Sequence, residues 1–485
     1  MIRSRRVKIL ATLGPASNSE DMIRNLSRAG ADVFRINMSH ASHDLMRKTV
    51  NQIRNVEREF GHPIGILVDL QGPKHRLGLF EGGEATIEPG GEIQLDSDPT
   101  LGTAKRVQLP HPEILDALEV GHRLLVNDGK VQLQVTETGP GFIKARVLSG
   151  TWIADRKGVN LPDSEIAAGI LTDKDREDLN AALKEDIDWV ALSFVQRPED
   201  LAEVRKICQG RVGVMAKIEK PQAVQKLDDI IDLADAIMVA RGDLGVEMPL
   251  ELVPSIQKKM IRKCRRAGTP VVVATQMLES MISSPTPTRA EVSDVANAVY
   301  EGADAIMLSA ESAAGDYPFE AVSTMNSIAE AIESDKGYLN VIASQRPDPE
   351  PTGADAISFA TAEIADTLDL AAIVCFTASG STGLRSARVR PSKPIITLSP
   401  VLETARRLAL LWGTTCVTTP DAENLDDVVD KACRIAFEQG VARPGDRIII
   451  SVGVPLRTPG ATNMLRIAYI GSDGRGSLHQ SQPKV

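Results

Sequence analysis

A chain of 485 residues is too long for one ordinary hydrophobic core and points to two to four domains. Its 42% hydrophobic and 25% charged residues are ordinary for a globular protein in water, and aromatics are only 3%. That scarcity, with a net charge of −10, argues against nucleic acid, stacked bases or an anionic membrane as a bulk partner, and requires a local basic cluster if the ligand is a small anion.

The basic start, Met1 to Arg6, carries no apolar signal core, and Val7–Leu13 already reads as a strand. Short runs rich in Val and Ile follow at Asp32–Asn37 and Gly65–Asp69. The rhythm then breaks and resumes at Trp189–Phe194, Val212–Ile218, Ala236–Ala240, Pro270–Thr275 and Ala305–Ser309. Continuous apolar runs suit parallel strands buried on both faces. Helical periodicity lies between them, as in Glu20–Ala29 and Leu250–Ala267. Eight β/α units predict a closed (β/α)8 TIM barrel, built from residues 1–71 and 171–347.

The break, residues 72–170, has a different texture. Arg123–Val126 and Val131–Val135 flank Asn127-Asp128-Gly129, a hairpin signal. An inserted all-β lid domain is expected, set at the C-terminal mouth of the barrel where active sites form. A Pro-rich stretch, Arg346–Thr352, opens a third unit over residues 348–485. Its runs at Ala372–Thr377, Pro394–Leu398, Thr415–Thr418, Arg447–Val452 and Met464–Ile470 predict an α/β domain with an open sheet. No apolar stretch reaches the ~18 residues of a spanning helix. The cysteines Cys208, Cys264, Cys375, Cys416 and Cys433 are scattered, as expected of buried free thiols in a reducing cytoplasm.

Polar residues gather where the barrel strands end. Arg35 is followed by Asn37, Ser39 and His40. Period 2 puts Lys217 and Glu219 on one face. Asp243 lies 24 residues after Glu219 (243 − 219), one β/α unit along, so the two carboxylates could share a hard divalent cation such as Mg²⁺. The glycines of Arg241-Gly242-Asp243 allow close approach of an anion to backbone N–H groups. Thr275 and Ser309 end the seventh and eighth runs, where two hydroxyls could relay a proton. Arg76 and Lys157 stand at the two hinges of the insertion and could grip a nucleotide phosphate; there is no P-loop sequence. Each set alone also suits a capped strand end, an ion pair or ordinary surface charge. Together, Arg35, Lys217, Arg76, Glu219 and Asp243 form a constellation for phosphoryl transfer.

With these residues in place, the chain resembles the pyruvate kinase family over nearly its whole length. The matching segments are Ala11-Thr12-Leu13-Gly14-Pro15-Ala16-Ser17, Gly30–His40, Lys217-Ile218-Glu219-Lys220-Pro221, Ala240–Glu247, Ala274–Met281 and Gly315-Asp316-Tyr317-Pro318. The resemblance implies transfer of the phosphoryl group of phosphoenolpyruvate to ADP, giving pyruvate and ATP. It implies that Arg35 and Lys217 bind the moving group and that Glu219 and Asp243 hold Mg²⁺ or Mn²⁺. Backbone N–H groups at Gly242 and Asp243 would receive the substrate carboxylate, and Thr275, with Ser309, would serve protonation. Asn37, His40, Arg76 and Lys157 would line the nucleotide side. A homotetramer in the cytoplasm is expected on the same ground.

Two departures stand out. The family's K⁺ ligands would be Asn37, Ser39, Asp69 and the Leu70 carbonyl, but many members carry Glu where this chain has Lys74, and Thr-Lys at Leu70-Gln71. The Lys74 ammonium could replace the monovalent ion. His75 stands where an aliphatic residue is usual. In the C-terminal unit, Thr377, Ser379, Gly380, Ser381 and Thr382 resemble the family's effector-phosphate loop, a turn of small and hydroxyl residues that could equally cap a helix. Within enzymes, the competing reading is a Mg²⁺-dependent lyase on a barrel, which needs no ADP site. Outside them, it is a metabolite sensor, which needs no intact set of Arg35, Lys217, Glu219, Asp243 and Thr275.

Overall fold

The computed structural model describes residues 3–165, 169–456, 458 and 462–477; Met1 and Ile2 of the basic start, positions 166–168 of the insertion and the chain's last residues lie outside them. Eight parallel strands close into a barrel: Lys8–Leu13, Val33–Asn37, Gly65–Asp69, Trp189–Leu192, Gly213–Ile218, Ala236–Ala240, Val271–Ala274 and Ala305–Leu308. They pair in chain order, and the eighth returns to the first. The helices between them start on side-chain caps where the sequence supplies them. Ser19 accepts from Met22 N and Ser42 from Leu45 N, while Thr172 and Thr288 form capping boxes with Asp175 and Glu291.

Several strands are shorter than their apolar runs. The fourth stops at Leu192 because the chain turns at Phe194, where φ is 57°. The seventh loses Pro270, which has no N–H to give, and Thr275, where φ is 68°. The stretch expected as one helix from Leu250 begins as a 3₁₀ turn, and the α-helix proper is Val253–Ala267.

The barrel floor is apolar. Leu10, Val33, Leu67, Ala191 and Met215 belong to one buried interior cluster with Met238, Val272 and Met307. Ala409 and Leu410, from the C-terminal unit, join that same cluster and plug the barrel's lower end. Two residues further along five of these strands come Thr12, Arg35, Asp69, Ser193 and Lys217. Period 2 therefore lifts a polar layer directly above an apolar one.

The insertion has its own core, around Ile93, Leu95, Leu124, Leu133 and Ile143. Its main sheet runs Val159–Asn160, Arg123–Val126, Val131–Gly139, Phe142–Ser149, Glu92–Asp96, Arg106–Gln108, and one short helix, Pro112–Ala117, accompanies it. The hairpin forms at Asn127-Asp128-Gly129, all three with positive φ. At the hinge the two crossings lie side by side: Arg76 bridges Gly158, and Leu77 N donates to Lys157 O at 3.0 Å.

The C-terminal sheet has strand order Thr414–Thr418, Ile395–Ser399, Ala372–Phe376, Arg447–Gly453, Thr462–Ile470, Gly476–Ser477. The first four are parallel and the last two antiparallel; the two-residue final strand gives no apolar run in the sequence. Among the described residues no helix is long and apolar enough to cross a membrane.

Candidate active site

Lys217 is the centre of the polar layer. Its Nζ donates to Ser193 Oγ at 2.7 Å, and lies 3.0 Å from Glu219 Oε1 and 3.4 Å from Asp69 Oδ1. Ser193 in turn donates to the Leu70 carbonyl at 2.8 Å, so the hydroxyl fixes where the ammonium points. Arg35 sits beside it: Nε donates to Asp69 Oδ2 at 2.7 Å and an η nitrogen to Thr12 Oγ1 at 3.1 Å. Thr12 and Ser193 therefore position the two cations. Neither was singled out in the sequence, although each stands two residues beyond a floor residue of its strand.

The carboxylates differ. Burial opposes ionisation of Asp69, but Lys217 and Arg35 outweigh it and hold the group below its ordinary range. Burial pushes Glu219 up to about 7, with Lys217 pulling it back and Asp243 pushing it further. For Lys217 burial works against the charge, and Asp69 and Glu219 more than compensate, keeping it a cation. Glu219 is oriented by the N–H of Phe194, which reaches its Oε2 at 2.8 Å, and its Oε1 faces the Lys217 ammonium at 3.0 Å. Asp243, partly exposed, makes no ion pair or side-chain hydrogen bond among the described residues. A buried carboxylate held by a single ammonium, lining the same cavity as a second carboxylate without a partner, fits a hard cation between them.

A cavity of about 220 Å³ opens above these groups. Arg35, Lys74, Arg76 and Lys217 line it against two carboxylates, Glu219 and Asp243. This is the local basic cluster that a net charge of −10 demands for an anionic ligand. A larger cavity, about 570 Å³, runs from Thr12–Pro15 past Leu45 to Ser309. The two share Arg35, Asn37 and His40, so a group held in one can be reached from the other.

Other candidate residues are placed differently. Lys157 lines neither cavity; its ammonium lies 5.3 Å over the Trp152 ring, because the hinge ladder uses its backbone and turns the side chain outward. Thr275 and Ser309 are not joined in a relay. Thr275 Oγ1 donates to the Ala274 carbonyl and accepts from Gly242 N at 2.7 Å, while Ser309 borders the larger cavity. One of the two N–H groups expected to receive a carboxylate is thus already engaged. Arg241 holds this turn by donating to the Thr275 carbonyl at 2.6 Å and to Asp294 at 2.7 Å.

The atoms of the expected K⁺ cage already have protein partners. Asn37 Oδ1 accepts from Ser39 N at 3.1 Å, Asp69 faces Arg35 and Lys217, and the Leu70 carbonyl accepts from Ser193. Lys74 shares the cavity and makes no ion pair among the described residues. In the C-terminal unit, Thr377, Ser379, Ser381 and Thr382 line a cavity of about 330 Å³ at the start of the helix Ser381–Arg388. Gly380, at φ 90°, makes the turn and donates to Thr377 Oγ1.

Residues 4–322 match the family model described as pyruvate kinase, barrel domain, and residues 355–468 match that for its alpha/beta domain. The pyruvate kinase of Methylorubrum extorquens is 58% identical over 470 residues, covering 97% of this chain and 98% of that protein. One from Agrobacterium vitis is 46% identical, covering 97% and 100%. The crystal structure of a pyruvate kinase from Cryptosporidium parvum superposes with a TM-score of 0.91 at 34% identity, covering 96% of each chain.

Proposed function

The chain belongs to the pyruvate kinase family, and we propose that Arg35, Lys217, Glu219 and Asp243 carry that family's chemistry here. The enzyme is a phosphotransferase that moves the phosphoryl group of phosphoenolpyruvate to ADP, giving pyruvate and ATP. The single observation behind the residue assignment is the Lys217 ammonium set 3.0 Å from Glu219 at the wall of a net cationic cavity. A phosphoryl group in flight spreads charge over its equatorial oxygens, so catalysis is positioning and charge neutralisation. Lys217 and Arg35 bind those oxygens, with Ser193 and Thr12 fixing their direction. Glu219 and Asp243 hold a divalent ion, Mg²⁺ or Mn²⁺. Bound there, such an ion supplies Lewis acidity toward the substrate's carboxylate and enolate oxygens.

The substrate carboxylate takes the N–H groups of Gly242 and Asp243. Taking Gly242 N displaces Thr275 Oγ1 and frees that hydroxyl to face the enolate carbon. Ser309, on the nucleotide side, takes no part in proton delivery. The nucleotide fills the larger cavity along Asn37 and His40, and Arg76 meets its phosphates at the junction. Lys157 stays outside. The Lys74 ammonium takes the place of K⁺, a reading supported by cage atoms already engaged by Arg35, Lys217, Ser193 and the Ser39 N–H. The domains divide as residues 1–71 with 171–347, 72–170, and 348–485, the second acting as a lid. The loop from Thr377 to Thr382 takes a phosphorylated effector, and the enzyme works as a cytoplasmic homotetramer.

The metal assignment is tested by titrating Mg²⁺ against pyruvate formation. Glu219→Gln and Asp243→Asn should each raise the half-saturating Mg²⁺ concentration at least about tenfold, because each removes an anionic oxygen from a hard cation. An unchanged value in both variants would remove these residues from the metal site.

A further inference from the structure

His75, at the start of the insertion, takes no part in the chemistry above. It does not stand alone. His111 lies against it edge to face, with ring centroids 4.8 Å apart, and His111 Nδ1 is 3.4 Å from Glu113 Oε1. One donor atom from each of the three falls within 4.8 Å of the others. We propose that His75, His111 and Glu113 form a binding site for a first-row transition metal such as Zn²⁺, separate from the Glu219–Asp243 pair, that ties the lid to its hinge.

Two imidazoles and a carboxylate are a borderline-soft donor set, which suits Zn²⁺ or Co²⁺ and not Mg²⁺. With metal–ligand bonds of roughly 2.0–2.1 Å, a tetrahedral site has ligand–ligand edges of about 3.4 Å. The His111–Glu113 edge already has that length, and the remaining edges close by side-chain rotation. Both rings are half-buried and Glu113 is exposed, so the ion has an open approach and a fourth position for water. The cavity beside the cluster is lined by Glu113 and Asp128 and by Lys74 and Lys220, so with Asp243 engaged by Mg²⁺ the surrounding charge is balanced and the donor atoms themselves carry the preference for a cation.

The placement gives the site its consequence. His75 belongs to the outgoing hinge crossing, and its carbonyl accepts from Val159 N of the returning crossing at 3.0 Å. His111 and Glu113 begin the short helix Pro112–Ala117 in the lid body. An ion shared among them joins hinge and lid at one point. Without metal, His111 Nε2 accepts from Arg76 N at 3.3 Å, which puts the ring proton on Nδ1, toward Glu113. Coordination through Nδ1 moves that proton to Nε2 and gives up this long bond, with no net proton released. Loading therefore alters the backbone at Arg76, the proposed phosphate contact.

The test uses the full-length protein saturated with Mg²⁺ and titrated with Co²⁺, whose four-coordinate complexes absorb strongly in the visible. One equivalent should develop the band, and Zn²⁺ should bleach it. His75→Leu and His111→Gln should each weaken Co²⁺ binding at least about tenfold, with circular dichroism unchanged. The Glu219→Gln/Asp243→Asn double variant should keep the band. Zn²⁺ should also slow amide exchange across residues 111–118 in the parent alone. No band in the parent, or the same band in both histidine variants, overturns the proposal; so does its loss in the double variant, which would assign it to the catalytic carboxylates.

Discussion

The Lys217 ammonium stands between two carboxylates that burial alone would neutralise: it holds Asp69 charged, while Glu219 is still pushed up to about 7. Spacing made half of this legible: Lys217 and Glu219 two apart, Asp243 one β/α unit on. The partners were not legible, because Ser193 and Thr12 are ordinary strand-tip hydroxyls until the barrel places them two residues above the floor. Lys74 carries a prediction at this scale. A K⁺ ion in the cage of Asn37, Ser39, Asp69 and Leu70 would add a cation beside Arg35, Lys217 and Lys74. Two unit charges at 4 Å repel by roughly 4 kcal/mol at an effective dielectric of about 20. The initial rate with tetramethylammonium as the only monovalent cation should therefore equal that in saturating K⁺. Strong K⁺ activation of the unmodified enzyme contradicts this. Lys74→Glu should move the enzyme toward K⁺ dependence.

Among the elements, the eight barrel strands were legible because each is buried on both faces and reads as an apolar run. Their ends were less so. Phe194, Thr275 and Gln276 turn with positive φ, which no composition signal marks. The lid hinge turns on Gly72, whose φ is 70°. A Cβ there would meet Phe194 Cδ2 at 2.8 Å and Ser193 Cβ at 2.9 Å. Gly72→Ala should thus cost about 1–3 kcal/mol, and it should push the Ser193 loop that aims Lys217. The expected outcome is a lower melting temperature together with a lower kcat. Loss of neither would mean that the hinge backbone is free to adjust.

For the whole molecule, the barrel and the C-terminal unit are joined by buried charge. Arg406 donates to Glu57 Oε1 at 2.9 Å and to Asp186 Oδ1 at 2.7 Å, with Arg406 and Glu57 each only 5% exposed. Arg390 pairs with Asp304 at 2.9 Å and stacks on Trp412. None of this was visible in the sequence, since the paired charges lie from 86 to 349 positions apart. Arg406→Ala leaves Glu57 buried with only Arg54, at 3.3 Å, as its cation and should destabilise the protein by about 1.5–3 kcal/mol. Thermal unfolding should begin at a clearly lower temperature, whereas an unchanged profile would show that the interface rests on the Arg390–Asp304 pair and the apolar plug, Ala409 and Leu410, without Arg406.

The measurement closest to the centre of the account is the turnover of Lys217→Met in a coupled assay of pyruvate formation, with circular dichroism and melting temperature to establish the fold. A transition-state charge contact of this kind is worth roughly 10²–10³ in rate or more. The folded variant should lose at least that factor in kcat, with a much smaller change in the apparent affinity for ADP. A folded Lys217→Met enzyme with near-normal turnover would contradict the assignment of phosphoryl transfer to this site.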